Sequence, residues 1–131
     1  MYLNNTKKDV VKPNPIDLQK ADVAFGNVIN ASPTTQDAYI YRARTNSLLE
    51  NNDMTIKYFQ GYIDVVTEKG PEELAKPNVK TKLIEAYNTI ATIYALSKDY
   101  LKAKENFSKT ITIDSANVYA LKSLEELKKS N

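Results

Sequence analysis

Residues 87–107 read YNTIATIYALSKDYLKAKENF, and this stretch decides the fold. With Leu83 just ahead of it, Tyr87, Ile90, Ala91 and Tyr94 recur at steps of three and four, so their side chains share one stripe of a helix. Asp99 is a capping residue for a second helix. In that helix Ala103-x3-Phe107 sets a small and an aromatic side chain on one stripe. The same element occurs earlier as Ala21-x3-Phe25 and, 34 positions later, with Thr in the small place, as Thr55-x3-Phe59. Recurrence at this period marks stacked helix-turn-helix units rather than a single globular core.

The pattern resembles the tetratricopeptide repeat, W-x2-L-G-x2-Y…A-x3-F…P. Tyr87 stands in the Trp place, Ile90-Ala91 in the Leu-Gly place and Tyr94 in the Tyr place, with Ser115 for the closing Pro. An earlier unit is more divergent: Tyr39, Arg42-Ala43 and Asn46, then Thr55 and Phe59. Arg42 and Asn46 replace a Leu and a Tyr that the family packs between helices. The first unit supplies only a second helix, with Ala21, Phe25 and Pro33 in the expected places. The resemblance runs from Asp17 to the C-terminus. It implies an all-α, right-handed α-α superhelix ending in a capping helix. It also suggests that the chain is the C-terminal fragment of a larger repeat protein, cut inside a helix of which Tyr2-Leu3 are the last residues; an intact protein with a disordered leader is the alternative.

Around this frame the chain divides as follows. Residues 1–13 are polar and aperiodic, and Pro13 and Pro15 forbid a helix across them. A half repeat spans 14–33, with Asn14 as N-cap and Leu18, Ala21, Phe25, Val28 and Ile29 inward. Thr34-x2-Asp37 reads as a capping box opening a repeat over 36–67. Its inward residues are Tyr39, Ala43, Leu49, Ile56, Phe59, Ile63 and Val66. Phe107 follows Phe59 by 48 positions instead of 34, so 68–81 is an insertion, bounded by Gly70-Pro71 and containing Pro77. A turn of helix over Glu72-Glu73-Leu74-Ala75 would tuck Leu74 against Val65 or Val66. A second repeat spans 82–115, with Tyr100, Ala103, Phe107, Ile111 and Ile113 inward on its second helix. The capping helix over 116–130 is capped by Asp114-Ser115 and faces inward through Val118, Leu121, Leu124 and Leu127, its other side polar.

Composition narrows the chemistry. The 131 residues suit one domain, and 18 basic against 16 acidic side chains leave a net charge of +2, no footing for a polyphosphate partner. With no His and no Cys, the usual zinc sites, His general bases, Cys nucleophiles and the common serine triad are all out of reach. The three glycines do not cluster into a phosphate loop. Gly26 and Gly61 fall inside second helices, where Gly costs about 1 kcal/mol against Ala, so a close approach must compensate. The nine tyrosines sit largely at repeat core positions rather than on a base-stacking surface. No stretch approaches the ~20 apolar residues of a membrane span, and the N-terminus lacks the layout of a signal peptide. The compartment is not fixed by these features.

Function then falls to a surface. In the resembling family the first helix of each unit lines a concave groove that holds segments of partner proteins. That implies contact positions Asp37, Ile40, Arg44, Ser47 and Leu48 in the first full repeat, and Glu85, Asn88, Thr92, Ala95 and Leu96 in the second. The subgroup that clamps C-terminal carboxylates uses Lys, Asn and Arg; Asn88 suits such a clamp, whereas Ile40 and Thr92 stand where it wants Lys or Asn. Arg44 is the one obvious anion-seeking group. The expectation is a non-catalytic scaffold for a protein or peptide, with no cofactor or metal, no nucleic acid and no membrane insertion. Self-association through the bare Leu18-Phe25-Ile29 face, as a homodimer, or packing of that face on upstream repeats of a larger repeat protein, is the alternative.

Overall fold

A computed structural model of the protein describes residues 13–129. The leader up to Lys12, with its Tyr2-Leu3 pair, lies outside the described residues. The helices are α1 (Pro15–Ala31), α2 (Gln36–Leu48), α3 (Asn52–Lys69), the short α4 (Pro71–Leu74), α5 (Pro77–Leu96), α6 (Tyr100–Ile113) and α7 (Val118–Lys129). No strand occurs among the described residues. The long helices pack each on the next in an open stack, with α3 reaching past α4 to α5. This is the all-α repeat that the spacing predicts.

Local chemistry explains most helix boundaries. The side chains of Asn14, Asn51 and Asp99 accept hydrogen bonds from the backbone N–H of Ile16, Met54 and Lys102. Two expected caps differ. Thr35, not Thr34, precedes α2 and makes no side-chain cap bond. Asn117 caps α7, accepting from Ala120 at 3.0 Å, while Asp114 bonds the turn before it. Glu50 and Lys98 close the first helices of the two repeats in the left-handed conformation, at φ 58° and 68°. They occupy the same repeat position, separated by the same interval as Phe59 and Phe107.

Two clusters form the core. Ile40, Ala43, Phe59, Tyr62, Ile63, Val66, Val79, Leu83, Ala86 and Ile90 fill the space between α2, α3 and α5. Ala91, Ala103, Phe107, Ala120 and Leu127 fill the one between α5, α6 and α7. Ala38, Ala86 and Ala120, at successive steps of 48 and 34, are all buried. Such small residues let first helices approach their neighbours closely. Tyr39 and Gly61 make a similar fit: a Cβ on Gly61 would stand 2.5 Å from the Tyr39 ring.

The segment between the repeats is more ordered than a spacer. Glu68 and Lys69 complete α3, and Pro77–Thr81 begin α5, whose Val79 is fully buried. Helix therefore covers both ends of the 68–81 stretch, with α4 between them. Gly70 turns the chain at φ 96°, and Pro71 and Pro77 each sit in the first turn of a helix, where no N–H is required. Leu74 is half-buried against the cluster containing Val66. Glu73 accepts from Gln36 at 2.9 Å, and Lys69 donates to the same Gln36 at 2.6 Å.

The two ends depart from expectation. On α1 only Gly26 is fully buried; Leu18, Ala21, Phe25 and Ile29 are half-covered, and Val28 is 44% exposed. Val28 matches Tyr62 and Thr110 of the later second helices, which are enclosed by their own first helices, a cover that no described residue gives α1. A polar latch secures α1 instead. Arg42 donates to Asp22 at 2.8 Å, Asn46 donates to the same carboxylate at 2.7 Å, and the guanidinium lies 4.2 Å from the Tyr58 ring centre. The fork occupies the space a Cβ on Gly26 would need. Arg42 and Asn46, the departures from the repeat pattern, are therefore one joint substitution. On α7, Ala120, Leu124 and Leu127 face inward, whereas Val118 and Leu121 are exposed. Glu125 stands, exposed, where Ala43 and Ala91 are fully buried against second helices.

Candidate functional site

The first helices α2, α5 and α7 are joined in turn by polar side chains. Arg44 forks onto Glu85, Nε to Oε2 at 2.8 Å and Nη2 to Oε1 at 2.6 Å. Lys82 reaches Asp37 at 2.9 Å. Between α5 and α7 the Thr92 and Tyr119 hydroxyls share a hydrogen bond of 2.7 Å. Asn88 donates to Asn117 at 3.4 Å and accepts from Thr110 at 2.8 Å. The bond to Glu85 holds the Arg44 guanidinium pKa above its ordinary value.

The expected contact residues therefore separate. Ile40 is 0% exposed and is a core residue, so it offers no surface to a partner; this corrects its placement in the groove. Its apolar side chain turns into the α2–α3–α5 cluster, where burial removes it from water. Asp37, Arg44 and Glu85 are engaged in helix-to-helix ion pairs. Asn88 ties α5 to α6 and to the cap of α7. Ser47 is exposed, Leu48 and Leu96 are 58% and 76% exposed, and Thr92 and Ala95 are half-buried.

Five of these residues border two adjoining hollows. One, of about 310 Å³, lies between Ser47, Asn52, Asn88, Thr89, Thr92 and Tyr119. The other, of about 190 Å³, is bounded by Thr92, Ala95, Leu96, Phe107, Tyr119 and Leu127. Thr92 and Tyr119, bonded to each other, border both, so the two hollows adjoin on either side of this pair and together make up a trough along α5. Tyr119 is the functional candidate that sequence reasoning missed. It follows Glu85 by one repeat step, so continuing the period into the capping helix finds it. A larger hollow of about 590 Å³ opens on the second-helix side, bordered by Ile29, Tyr39, Gly61, Asp64 and Tyr94, and none of the ten expected residues lines it.

Tyr62 is fully buried in the α2–α3–α5 core, and its hydroxyl has no hydrogen-bond partner among the described residues. Burial first, then the Asp37, Glu73 and Glu85 carboxylates, pushes its pKa up to about 12, so it stays neutral. Among the described residues no group of three or more carboxylates could hold a metal ion, and no helix is long and apolar enough to cross a membrane.

No family model matches the sequence, and no curated protein does. A solved structure does: the C-terminal part of a tetratricopeptide repeat-containing protein from Cytophaga hutchinsonii. It superposes with a TM-score of 0.70 and 27% identity, over 82% of this chain. The chain spans 40% of that structure's length. The fold is thus that of tetratricopeptide-like helical repeats.

Proposed function

We propose that the chain is a non-catalytic interaction module whose partner segment lies along the inner face of α2, α5 and α7. The observation that carries this reading is the trough around Thr92 and Tyr119, flanked by the exposed Leu48 and Leu96. Single exposed apolar side chains are ordinary on a protein surface; here Leu96 borders a hollow, Leu48 follows Ser47 at the edge of the other, and both hold expected contact positions. A groove held by ion pairs and hydrogen bonds between helices is already formed before binding, so little ordering free energy is lost on its side of the contact. The near-balance of charge supports a protein partner over a nucleic acid. The test is affinity capture from the native organism with the full chain. A partner should be retained by the unaltered protein and by Leu101→Asp on the outer side of α6, and lost with Leu48→Asp combined with Leu96→Asp. Equal capture by the inner-face variant would sink the assignment.

A second reading, self-association through the Leu18-Phe25-Ile29 face, is favoured by Val28, 44% exposed and next to that half-covered face on α1. Apolar surface left open in this way marks association sites. Light scattering distinguishes it: the unaltered chain should be dimeric and Val28→Asp monomeric. A monomer at high concentration removes this reading.

A further inference from the structure

We infer that the inner trough takes an uncharged, extended segment of a partner protein, with one aliphatic or aromatic side chain inserted between Ala95, Leu96, Phe107 and Leu127. This deepens the docking reading above and rests on it.

Charge is the first argument. On α2 and α5 the inner-face cations are already matched, Arg44 by the two oxygens of Glu85 and Lys82 by Asp37. An incoming carboxylate would have to displace a bidentate partner and leave Glu85 unpaired and half-buried, which is unfavourable. Around the smaller hollow the charged neighbour is Glu126, which sits 3.9 Å from Lys129. Lys122, exposed and one repeat step beyond Asn88, borders neither hollow. Among the described residues no cation borders either hollow, so an anion finds no charge partner there.

Hydrogen bonding is the second. The side chains of Thr92, Asn88 and Tyr119 are already engaged with one another or with neighbouring helices. Ser47, Asn52 and Thr89 line the wider hollow and make no side-chain hydrogen bond to the described residues. Free hydroxyl and amide groups suit the main-chain N–H and C=O of an extended segment, whereas a helix has already bonded its own.

Size is the third. At about 190 Å³ the apolar hollow is smaller than the ~300 Å³ at which small-molecule sites begin. It has room for one side chain. Phe107, 2% exposed, borders it, and the 76% exposed Leu96 stands at its rim, so an inserted side chain meets apolar surface from both.

The test is selection of a displayed library of short random peptides on the full chain. Enriched sequences should share a Leu, Ile, Met or Phe flanked by uncharged residues. The synthetic peptide should bind equally with a free or an amidated C-terminus, with Kd changing less than about twofold between about 50 and 200 mM salt. Ala95→Trp, which fills the hollow, and Leu96→Asp, on a side chain too exposed to affect folding, should each weaken binding at least about tenfold. Acidic or free-carboxylate peptides that lose affinity steeply with salt and with Arg44→Ala would overturn the inferred partner chemistry and leave docking intact. No sequence enriched above a Leu96→Asp background would overturn the docking reading itself.

Discussion

Replacing Arg42 by Leu, the residue the repeat pattern would place there, should loosen α1 rather than stabilise it. The substitution removes the 2.8 Å bond to Asp22 and the guanidinium above Tyr58. A charge-assisted hydrogen bond contributes about 1.5–3 kcal/mol and a cation–π contact about 0.5–1. Solvent reaches 20% of the Arg42 side chain and 26% of that of Asp22, so the ionic part takes a discount for screening. The contact from Nη2 to Asp22 is 3.5 Å and adds little. A net loss of about 2 kcal/mol follows, concentrated on α1 because only Gly26 of that helix is fully buried. Amide hydrogen exchange reads this directly: protection in α1 should fall about thirtyfold, with α5 unchanged. Adding Asp22→Leu removes the stranded carboxylate and should recover most of the loss, to within about 1 kcal/mol of the unaltered chain. Unchanged α1 protection in Arg42→Leu, or single losses that merely add in the double variant, would refute the latch.

The same latch sets an acid response. Its bond to Arg42 holds the Asp22 pKa below the ordinary 3.8, so its stabilisation is present above the unfolded value and disappears as pH falls through the folded one. Urea midpoints followed from about pH 5 to pH 2 should fall less in Asp22→Asn than in the unaltered chain; parallel curves would contradict this. Gly61→Ala should destabilise by about 1–3 kcal/mol despite the better helix propensity of Ala, because the Tyr39 ring occupies the space; a higher midpoint would show the ring moves freely. Tyr62→Phe removes a buried hydroxyl without a partner among the described residues and should leave stability equal or raise it by about 1 kcal/mol; a loss above that would mean the hydroxyl is bonded. Lys98→Gly relieves a left-handed residue and should stabilise by about 1 kcal/mol in thermal melts; no gain would place the strain elsewhere.

The stack of helices was legible because the side chains that hold it recur in step: Phe59 and Phe107 are buried where the spacing puts them, and Leu83, Ile90 and Ala91 form the predicted stripe. Positions whose fate depends on a neighbour far along the chain were harder to read. Arg44 and Glu85 were both assigned to the groove, yet they bond each other across 41 residues, and no local pattern announces that pairing. Ile40 carried a signal that was there to use: an Ile at a supposed surface position is better explained by the core that encloses it. Arg42 and Asn46 read as damage to the repeat until Asp22, on another helix, supplied their common partner. At the ends, Val28, Val118 and Leu121 have helical spacing but no facing helix among the described residues, and periodicity alone cannot say which stripe finds cover. Pro71 and Pro77, which mark the insertion in the sequence, each begin a helix.

The central claim is that partners dock along the trough centred on Thr92 and Tyr119. Amide correlation spectra of the isotopically labelled full chain, titrated with a library-selected peptide, test it most directly. The largest shift changes should fall on Ser47, Thr92, Ala95, Leu96 and Tyr119. Changes centred instead on Tyr39, Gly61 and Asp64 around the larger hollow, or on Val28 of α1, would contradict it.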